Sequence, residues 1–182
     1  MTKLTNLPAQ KQSEKTCLVD FILRLLPASN YFDVLKEAAS SGTFQWDGKP
    51  VAQLNKLQRY TCIRKCMAAI QSRAEEDEME ALLAAEKTRD FSDVDELEAL
   101  KILGAKPLES SKLKLFNQVV NGELTQTKLG ALLTSFYNSS DPQQCEKIAN
   151  LWLENIERVE AEQHRDYFLT FFTQLSPRFM RN

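Results

Sequence analysis

The side chains that carry most enzyme chemistry are scarce in this sequence, which has 182 residues, one histidine and four cysteines. A single histidine, His164, excludes any zinc site built on a His-Glu-x-x-His motif, because such a site needs two histidines. A histidine that acts as a general base also needs a nucleophile or an orienting group beside it. None accompanies His164 in the sequence, so we predict a surface position for it.

Cys62 and Cys66 are four residues apart, a spacing that places both thiols on one face of a helix. A structural zinc site needs four ligands, and no second Cys or His pair lies nearby. Since free cysteine is among the most buried residue types, we predict that both are structural. Four cysteines are too few for a disulfide framework in a chain of this length, so reduced thiols in a cytosol-like compartment are predicted.

The acidic run at residues 75–80 offers carboxylates for a divalent cation or a basic partner. It lacks the ligand spacing and central glycine of a calcium loop, so it favours a solvated helix face. Gly42 and Gly48 fit neither the Walker nor the dinucleotide fingerprint. The sequence therefore predicts no catalytic residue, no metal ligand and no cofactor, and leaves open whether the chain belongs to an enzyme.

Phe44 and Trp46 are the candidate partner-binding residues. They lie in the glycine-bounded segment 40–50, where they would form an exposed anchor, because large aromatic side chains dominate interface energetics. The alternative is that this segment packs into the helices. Asp47 and Gly48 favour a tight turn, which leaves a short hairpin open, but an irregular loop over 40–50 is the prediction.

Apolar residues recur at three- and four-residue spacing through most of the chain, which is the period of amphipathic helices. The pattern predicts eight or nine helices, whose start and stop signals are Pro27, Asn30, Ser92, Gly104, Gly122, Pro142 and Pro177. The predicted helices include residues 18–26, 31–39, 51–72, 75 onward, 93–104, 109–121, 125–137, 141–159 and 161–175.

Short connections between these helices favour antiparallel neighbours, and the helical hairpins recur about every 30 to 35 residues from Glu75 onward. We therefore predict an all-α fold, a stack of antiparallel helical hairpins that forms a right-handed superhelix of the HEAT or armadillo type. Residues 1–12 are predicted to be a polar leader, and residues 13–178 a single helical-repeat domain.

Composition narrows the range of partners. Hydrophobic residues make up 43% of the chain and charged residues 26%, as in ordinary globular proteins. A net charge of −2 gives no basic surface for a nucleic acid backbone. No run approaches the roughly 18 apolar residues that a membrane span requires. We expect a soluble cytoplasmic protein whose partner is a protein or a peptide.

Leucine-rich segments between about Leu54 and Val159 carry a family resemblance. They are Glu80-Ala-Leu-Leu-Ala, Asp95-Glu-Leu-Glu-Ala-Leu-Lys-Ile-Leu-Gly-Ala105, Val119-Val-Asn-Gly-Glu-Leu-Thr-Gln126 and Leu151-Trp-Leu-Glu-Asn155. In this order they resemble the second half of the helical C-terminal domain of zinc aminopeptidases of the aminopeptidase N and puromycin-sensitive type. The chain departs from that family at Asn138-Ser-Ser-Asp-Pro, where the family has an Asn-Pro-Gly-Arg-like turn, and it contains no catalytic domain.

The resemblance implies a helical bowl that covers the active site of a separate catalytic domain, and it carries over no substrate-contacting residue. The leading hypothesis is therefore a non-catalytic helical-repeat module for interaction or substrate enclosure, which in an enzyme would be an accessory domain of a zinc aminopeptidase. The alternative is a free-standing adaptor or regulatory protein that binds a protein partner. A small enzyme built from scattered carboxylates is a third hypothesis, because carboxylate pairs have no fixed spacing in sequence.

Overall fold

A computed structural model describes residues 12–89, 92–107, 109–137 and 142–176. Across those ranges the chain forms nine α-helices and one two-stranded antiparallel sheet, which confirms the all-α prediction. The elements are α1 (Gln12–Leu25), α2 (Ala28–Ser41), β1 (Thr43–Trp46), β2 (Lys49–Gln53), α3 (Lys56–Ala69), α4 (Arg73–Arg89), α5 (Asp93–Gly104), α6 (Glu109–Val120), α7 (Gln126–Leu133), α8 (Pro142–Glu162) and α9 (Arg165–Leu175). Residues 1–11 of the leader predicted for residues 1–12, the turn at 138–141 and the stop at Pro177 lie outside the described residues, and Gln12 is the first residue of α1. Over the described ranges, no helix combines the length and apolarity needed to cross a bilayer.

The chain divides into two compact units, Met1–Asp90 and Phe91–Asn182. The first contains α1 to α4 and the hairpin, and the second contains α5 to α9. Each unit buries its own set of apolar side chains. The single helical-repeat domain over residues 13–178 stays a prediction.

In the first unit, α3 packs against α1, α2 and α4. Polar contacts join α1 to α3: the Gln58 side chain donates to the Asp20 carboxylate at 2.9 Å, and the Lys65 ammonium donates to the Arg24 carbonyl at 2.9 Å and to the carbonyl of Leu26, directly after α1, at 2.6 Å. Apolar packing accounts for most of the rest, because Leu23 and Ile63 are almost completely buried. The result is a helical core with the hairpin attached to one side.

The segment predicted as an irregular loop forms the hairpin of β1 and β2 instead. Asp47 and Gly48 both have positive φ, at 50° and 71°, which gives the tight turn that a two-residue hairpin connection needs. Phe44 pairs with Ala52, and the Leu54 amide donates to the Gly42 carbonyl at 2.8 Å to close the base. A two-stranded sheet is marginal alone, and packing of β1 against α2 supports it.

The start of the third helix was predicted five residues too early. Val51 and Leu54 have helical spacing but belong to β2 and the segment after it, and α3 begins at Lys56. Asn55 caps the helix: its side chain accepts from the Gln58 amide at 3.0 Å, and the Gln58 side chain accepts from the Asn55 amide at 2.9 Å. Leu57, on the first turn of α3, is 54% exposed.

One extra turn precedes the predicted second helix. α2 begins at Ala28 with Pro27 as its N-cap residue, but Tyr31 has non-helical backbone angles (φ −130°, ψ 27°), so the chain kinks where the sequence predicts the helix to begin. The helix ends at Ser41, two residues beyond its predicted end, and Gly42 terminates it with a φ of 74° and an amide that donates to the Ala38 carbonyl at 3.0 Å.

In the second unit, α7 packs between α5 and α9, and α8 contacts both α6 and α9. The buried core is the following set: Phe116, Val119, Val120, Leu129, Leu132, Leu133, Phe136, Ile148, Trp152, Val159, Tyr167, Phe171 and Leu175. Two tyrosine hydroxyl groups connect α9 to the rest of the unit. Tyr167 of α9 donates to the Val119 carbonyl of α6, and Tyr137 donates to the Leu175 carbonyl of α9, each at 2.6 Å. The right-handed superhelix of helical hairpins stays a prediction.

Candidate functional site

His164 lies at the surface, as the sequence predicted. It is the N-cap residue of α9, where Nδ1 accepts a hydrogen bond from the Asp166 amide at 3.3 Å. This contact satisfies one of the free amides at the start of a helix. The structure therefore gives His164 a capping contact.

Cys62 and Cys66 are completely buried in α3, which confirms the structural interpretation. Burial raises the pKa of both thiols to about 12, because the interior disfavours the charged thiolate. Nearly all of each thiol is therefore protonated at neutral pH, and a protonated thiol is a poor nucleophile. Among the residues that the structure describes, no group of three or more His, Cys, Asp or Glu side chains is arranged to hold a metal ion.

Phe44 and Trp46 differ in their surroundings. Phe44 is completely buried between β2 and α2, so the hypothesis of an exposed anchor is wrong for this residue. Trp46 is half-buried, with its ring centroid 5.4 Å from that of Tyr31. A role of Trp46 in partner binding stays a prediction.

The acidic run at residues 75–80 is only partly the solvated face that was predicted. The Glu76 side chain is fully buried and accepts from the Arg73 guanidinium at 2.6 Å. Glu75 closes the start of α4, since its carboxylate accepts from the amides of Gln71 and Ser72 at 2.7 and 3.2 Å. These carboxylates therefore act in helix capping and ion pairing.

Much of the apolar surface of α1 faces solvent. Leu18, Phe21 and Leu25 are 40%, 58% and 65% exposed, whereas Val19 and Leu23 on the opposite side face the core. Positions i, i+3 and i+7 lie on one face of a helix, so the three side chains form a continuous surface about 10 Å long. We call these three residues the α1 stripe.

A cavity of about 320 Å³ lies between α6 and α8 in the second unit. Five apolar residues line it: Leu113, Phe116, Phe136, Ile148 and Leu151. Its polar lining residues are Lys112, Lys147, Asn150 and Glu154. A small apolar cavity with a few polar groups is the usual form of a ligand site.

Lys112 is the unusual member of this lining. It is only 3% exposed, and its ammonium donates to the Gly104 carbonyl at the end of α5 at 2.6 Å. The same nitrogen lies 4.7 Å from the centroid of the Phe136 ring, within the range of a cation–π contact. In the described part of the chain, no carboxylate forms an ion pair with it.

Burial lowers the pKa of Lys112 to about 7, because the apolar surroundings disfavour the charged ammonium, and the nearby Cys145 side chain opposes this shift only in part. The side chain is thus poised between a cation and a neutral amine near physiological pH. Both forms can hydrogen-bond, and the cationic form attracts anions.

Sequence reasoning did not single out Lys112, because lysine is rarely buried in proteins. The available signal is spacing, since Lys112 lies four residues before Phe116 and therefore on the buried face of α6. A lysine at a position where the helical period requires an apolar residue is a candidate for a buried functional group.

We expect the stability of the second unit to depend on pH through Lys112. Between pH 7 and 10.5 the unfolded lysine holds a proton that the folded one releases, so the free energy of unfolding rises with pH in this window. Relative to Lys112→Met, the wild-type chain should gain about 2 kcal/mol between pH 7 and pH 9. Urea unfolding of both proteins, followed by Trp152 fluorescence in a Trp46→Phe background, measures the difference, and parallel pH profiles would contradict it.

Comparisons with protein-family models, with curated proteins and with solved structures find no match to this chain. The resemblance to zinc aminopeptidase C-terminal domains therefore stays a prediction.

Proposed function

We propose that this chain is a non-catalytic helical interaction module that binds an amphipathic helix of a protein partner along the α1 stripe. The observation that supports the proposal is the continuous exposure of Leu18, Phe21 and Leu25 on a helix whose other face is buried. Single exposed apolar residues are common, but contiguous apolar surfaces are typical of interaction sites.

The partner helix is identified by the chemistry of the stripe and its edges. A helix that packs along α1 would present apolar residues with the same three- and four-residue spacing. Lys15 and Arg24 lie at the two edges of the stripe on the helical wheel, whereas Glu14 lies on the face of the stripe, one turn before Leu18. Complementary charge therefore favours acidic residues along the edges of the partner's apolar face and a basic residue opposite Glu14.

A photo-crosslinker placed in the stripe tests this proposal. Phe21 is replaced by the photoreactive amino acid benzoylphenylalanine, the protein is irradiated in its source cells, and the crosslinked segment is mapped by mass spectrometry. That segment is then synthesised as a peptide, and its affinity for the purified chain and its helix content on binding are measured. We expect an acidic amphipathic peptide that becomes helical when it binds.

Single changes in the stripe provide the quantitative readout. Leu18→Ser or Leu25→Ser should weaken peptide binding at least about tenfold, because each removes a buried leucine from the interface. Leu153→Ser, at an exposed leucine of α8, is the matched control and should leave the affinity unchanged. A crosslink to a second copy of this chain, or to a segment that stays non-helical when bound, would rule out the proposal.

Two versions of this function differ in where the partner lies. In the version that follows the family resemblance, the module encloses the active site of a zinc aminopeptidase catalytic domain. In the other, the module is an adaptor and the partner is an unrelated protein. An upstream coding segment with a His-Glu-x-x-His motif, or a crosslink into such a chain, supports the first version, and a crosslink into any other protein supports the second.

A further inference from the structure

We propose that the cavity between α6 and α8 binds a carboxylate carried on a small apolar group, with the Lys112 ammonium as its anion-binding residue. This site is separate from the α1 stripe and does not depend on its function. Two sources share the required chemistry, a short-chain carboxylic acid and the apolar C-terminal residue of a peptide.

The size and lining of the cavity define the apolar part of the ligand. Ligand pockets typically measure about 300 to 1,000 Å³, and this one, at about 320 Å³, accommodates only a small group. Phe116, Ile148 and Leu151 contribute to a lining that is mainly aliphatic and aromatic. Such walls bind an alkyl chain or a branched side chain by removing its apolar surface from water.

Lys112 defines the charged part of the ligand. An ammonium has three hydrogen-bond donors, and the Gly104 carbonyl accepts one of them at 2.6 Å. The Phe136 ring lies on another side of the nitrogen. A buried cation without a counter-ion is costly, so an incoming carboxylate would gain a charge-assisted hydrogen bond where no described side chain now supplies one.

The other charged groups of the lining favour one orientation of the ligand. Lys147 adds positive potential to the cavity, whereas Glu154 repels an anion near its own position. The hydrogen bond from Lys112 to the Gly104 carbonyl caps the end of α5, which explains why a lysine lies there. This hydrogen bond uses only one of the three donors of the ammonium. The remaining donor capacity is what a ligand would use.

Four probes separate the carboxylate from its apolar carrier. Calorimetry measures the affinities of sodium hexanoate, hexan-1-ol, acetyl-alanyl-leucine and the corresponding leucine amide for the full chain. We expect at least one of the two acids to bind at least about tenfold more tightly than its neutral counterpart. The acid that binds more tightly identifies the source of the carboxylate.

Lys112→Met should abolish this preference and keep the weaker binding of the neutral compound. Lys114→Met, at an exposed lysine on the same helix, should bind as the wild type does. Amide resonances of Phe116 and Ile148 in the wild-type chain give a readout that does not require the variant to fold, and the preferred acid should shift them. Equal affinity for acids and neutral analogues, or resonances that do not move, would overturn the proposal.

Discussion

Gly104→Ala is expected to lower the free energy of unfolding of the second unit by about 3 kcal/mol, because it forces a methyl group into the backbone of a neighbouring helix. A Cβ built at Gly104 lies only 2.2 Å from the carbonyl oxygen of Leu132 in α7 and 3.2 Å from the carbonyl carbon. Backbone atoms cannot rotate away as a side chain does, so α5 and α7 must separate.

The separation would affect more than one contact. The Gly104 carbonyl accepts the hydrogen bond from Lys112, and Leu132 is a fully buried member of the core. A shift of α5 therefore disturbs the cavity and loosens the packing around Leu132. Close-packed interiors transmit such shifts because they have few voids to absorb them.

Gly130→Ala is the matched control, since Gly130 also lies inside a helix of the second unit. A Cβ there meets only the Thr170 methyl group at 4.0 Å, an ordinary contact. This variant should be more stable by about 0.5 to 1 kcal/mol, because alanine loses less conformational freedom than glycine when a helix forms. Urea unfolding monitored by Trp152 in a Trp46→Phe background measures both, and effects of the same sign would contradict the close-approach explanation.

Helices with clear capping signals could be predicted from the sequence. The Asp95 carboxylate accepts from the Ser92 amide at 2.6 Å, the reciprocal contact that a capping box predicts. Gly122 has a φ of 70° and ends α6, with the Glu123 amide donating to the Gln118 carbonyl at 3.1 Å. These signals are local, because each depends on residues within one helical turn.

Gly104 shows the limit of such local signals. It does end α5, but its φ is not positive, so it does not act as a left-handed cap. Its small size is required by the approach of Leu132, which lies 28 positions away in the sequence. Nothing in the local sequence distinguishes a glycine that adopts positive φ after a helix from one whose small size lets another helix approach.

The hairpin was missed for a different reason. Val51 and Leu54 have three-residue spacing, which fits a helix as well as the end of a strand. Burial of Phe44 favours the hairpin over a helix in this segment. Its side chain is completely buried in the structure, where β1 pairs with β2 and packs on α2. That choice depends on tertiary packing, which a periodic pattern does not contain.

Buried charged side chains were the other feature that could not be predicted from the sequence. Glu76, Met79, Leu83 and Glu86 have the 3-4-3 spacing of a buried helical face, and all four are buried. The apolar spacing predicts burial of Met79, Leu82 and Leu83 but gives no signal for the two glutamates, because carboxylates are usually at the surface. The arginines that neutralise Glu86 include Arg59 on α3, which is 27 residues away and not predictable from local spacing.

The ion pairs of Glu86 carry the second large prediction, in the first unit. Its carboxylate is 2% exposed and accepts from Arg59 at 2.7 Å and from Arg89 at 3.2 Å. The same arginines also donate to backbone carbonyls of Leu54 at 2.8 Å and Ser40 at 2.6 Å. Glu86 therefore joins α4 to the start of α3, and its other partner, Arg89, joins α4 to the end of α2.

Glu86→Ala should lower the free energy of unfolding of the first unit by about 3 kcal/mol, because it leaves the mostly buried Arg59 guanidinium without its counter-ion. Glu78→Ala on the same helix is the control, and loss of its exposed pair with Lys36 should cost less than about 1 kcal/mol. Trp46 fluorescence in a Trp152→Phe background reports unfolding of this unit.

Replacing both partners, as Arg59→Met with Glu86→Leu, should recover most of the lost stability, since the penalty comes from one unpaired buried charge and not from the absence of the pair. A double variant no more stable than Glu86→Ala would instead mean that the hydrogen bond from Arg59 to the Leu54 carbonyl accounts for most of the stabilisation.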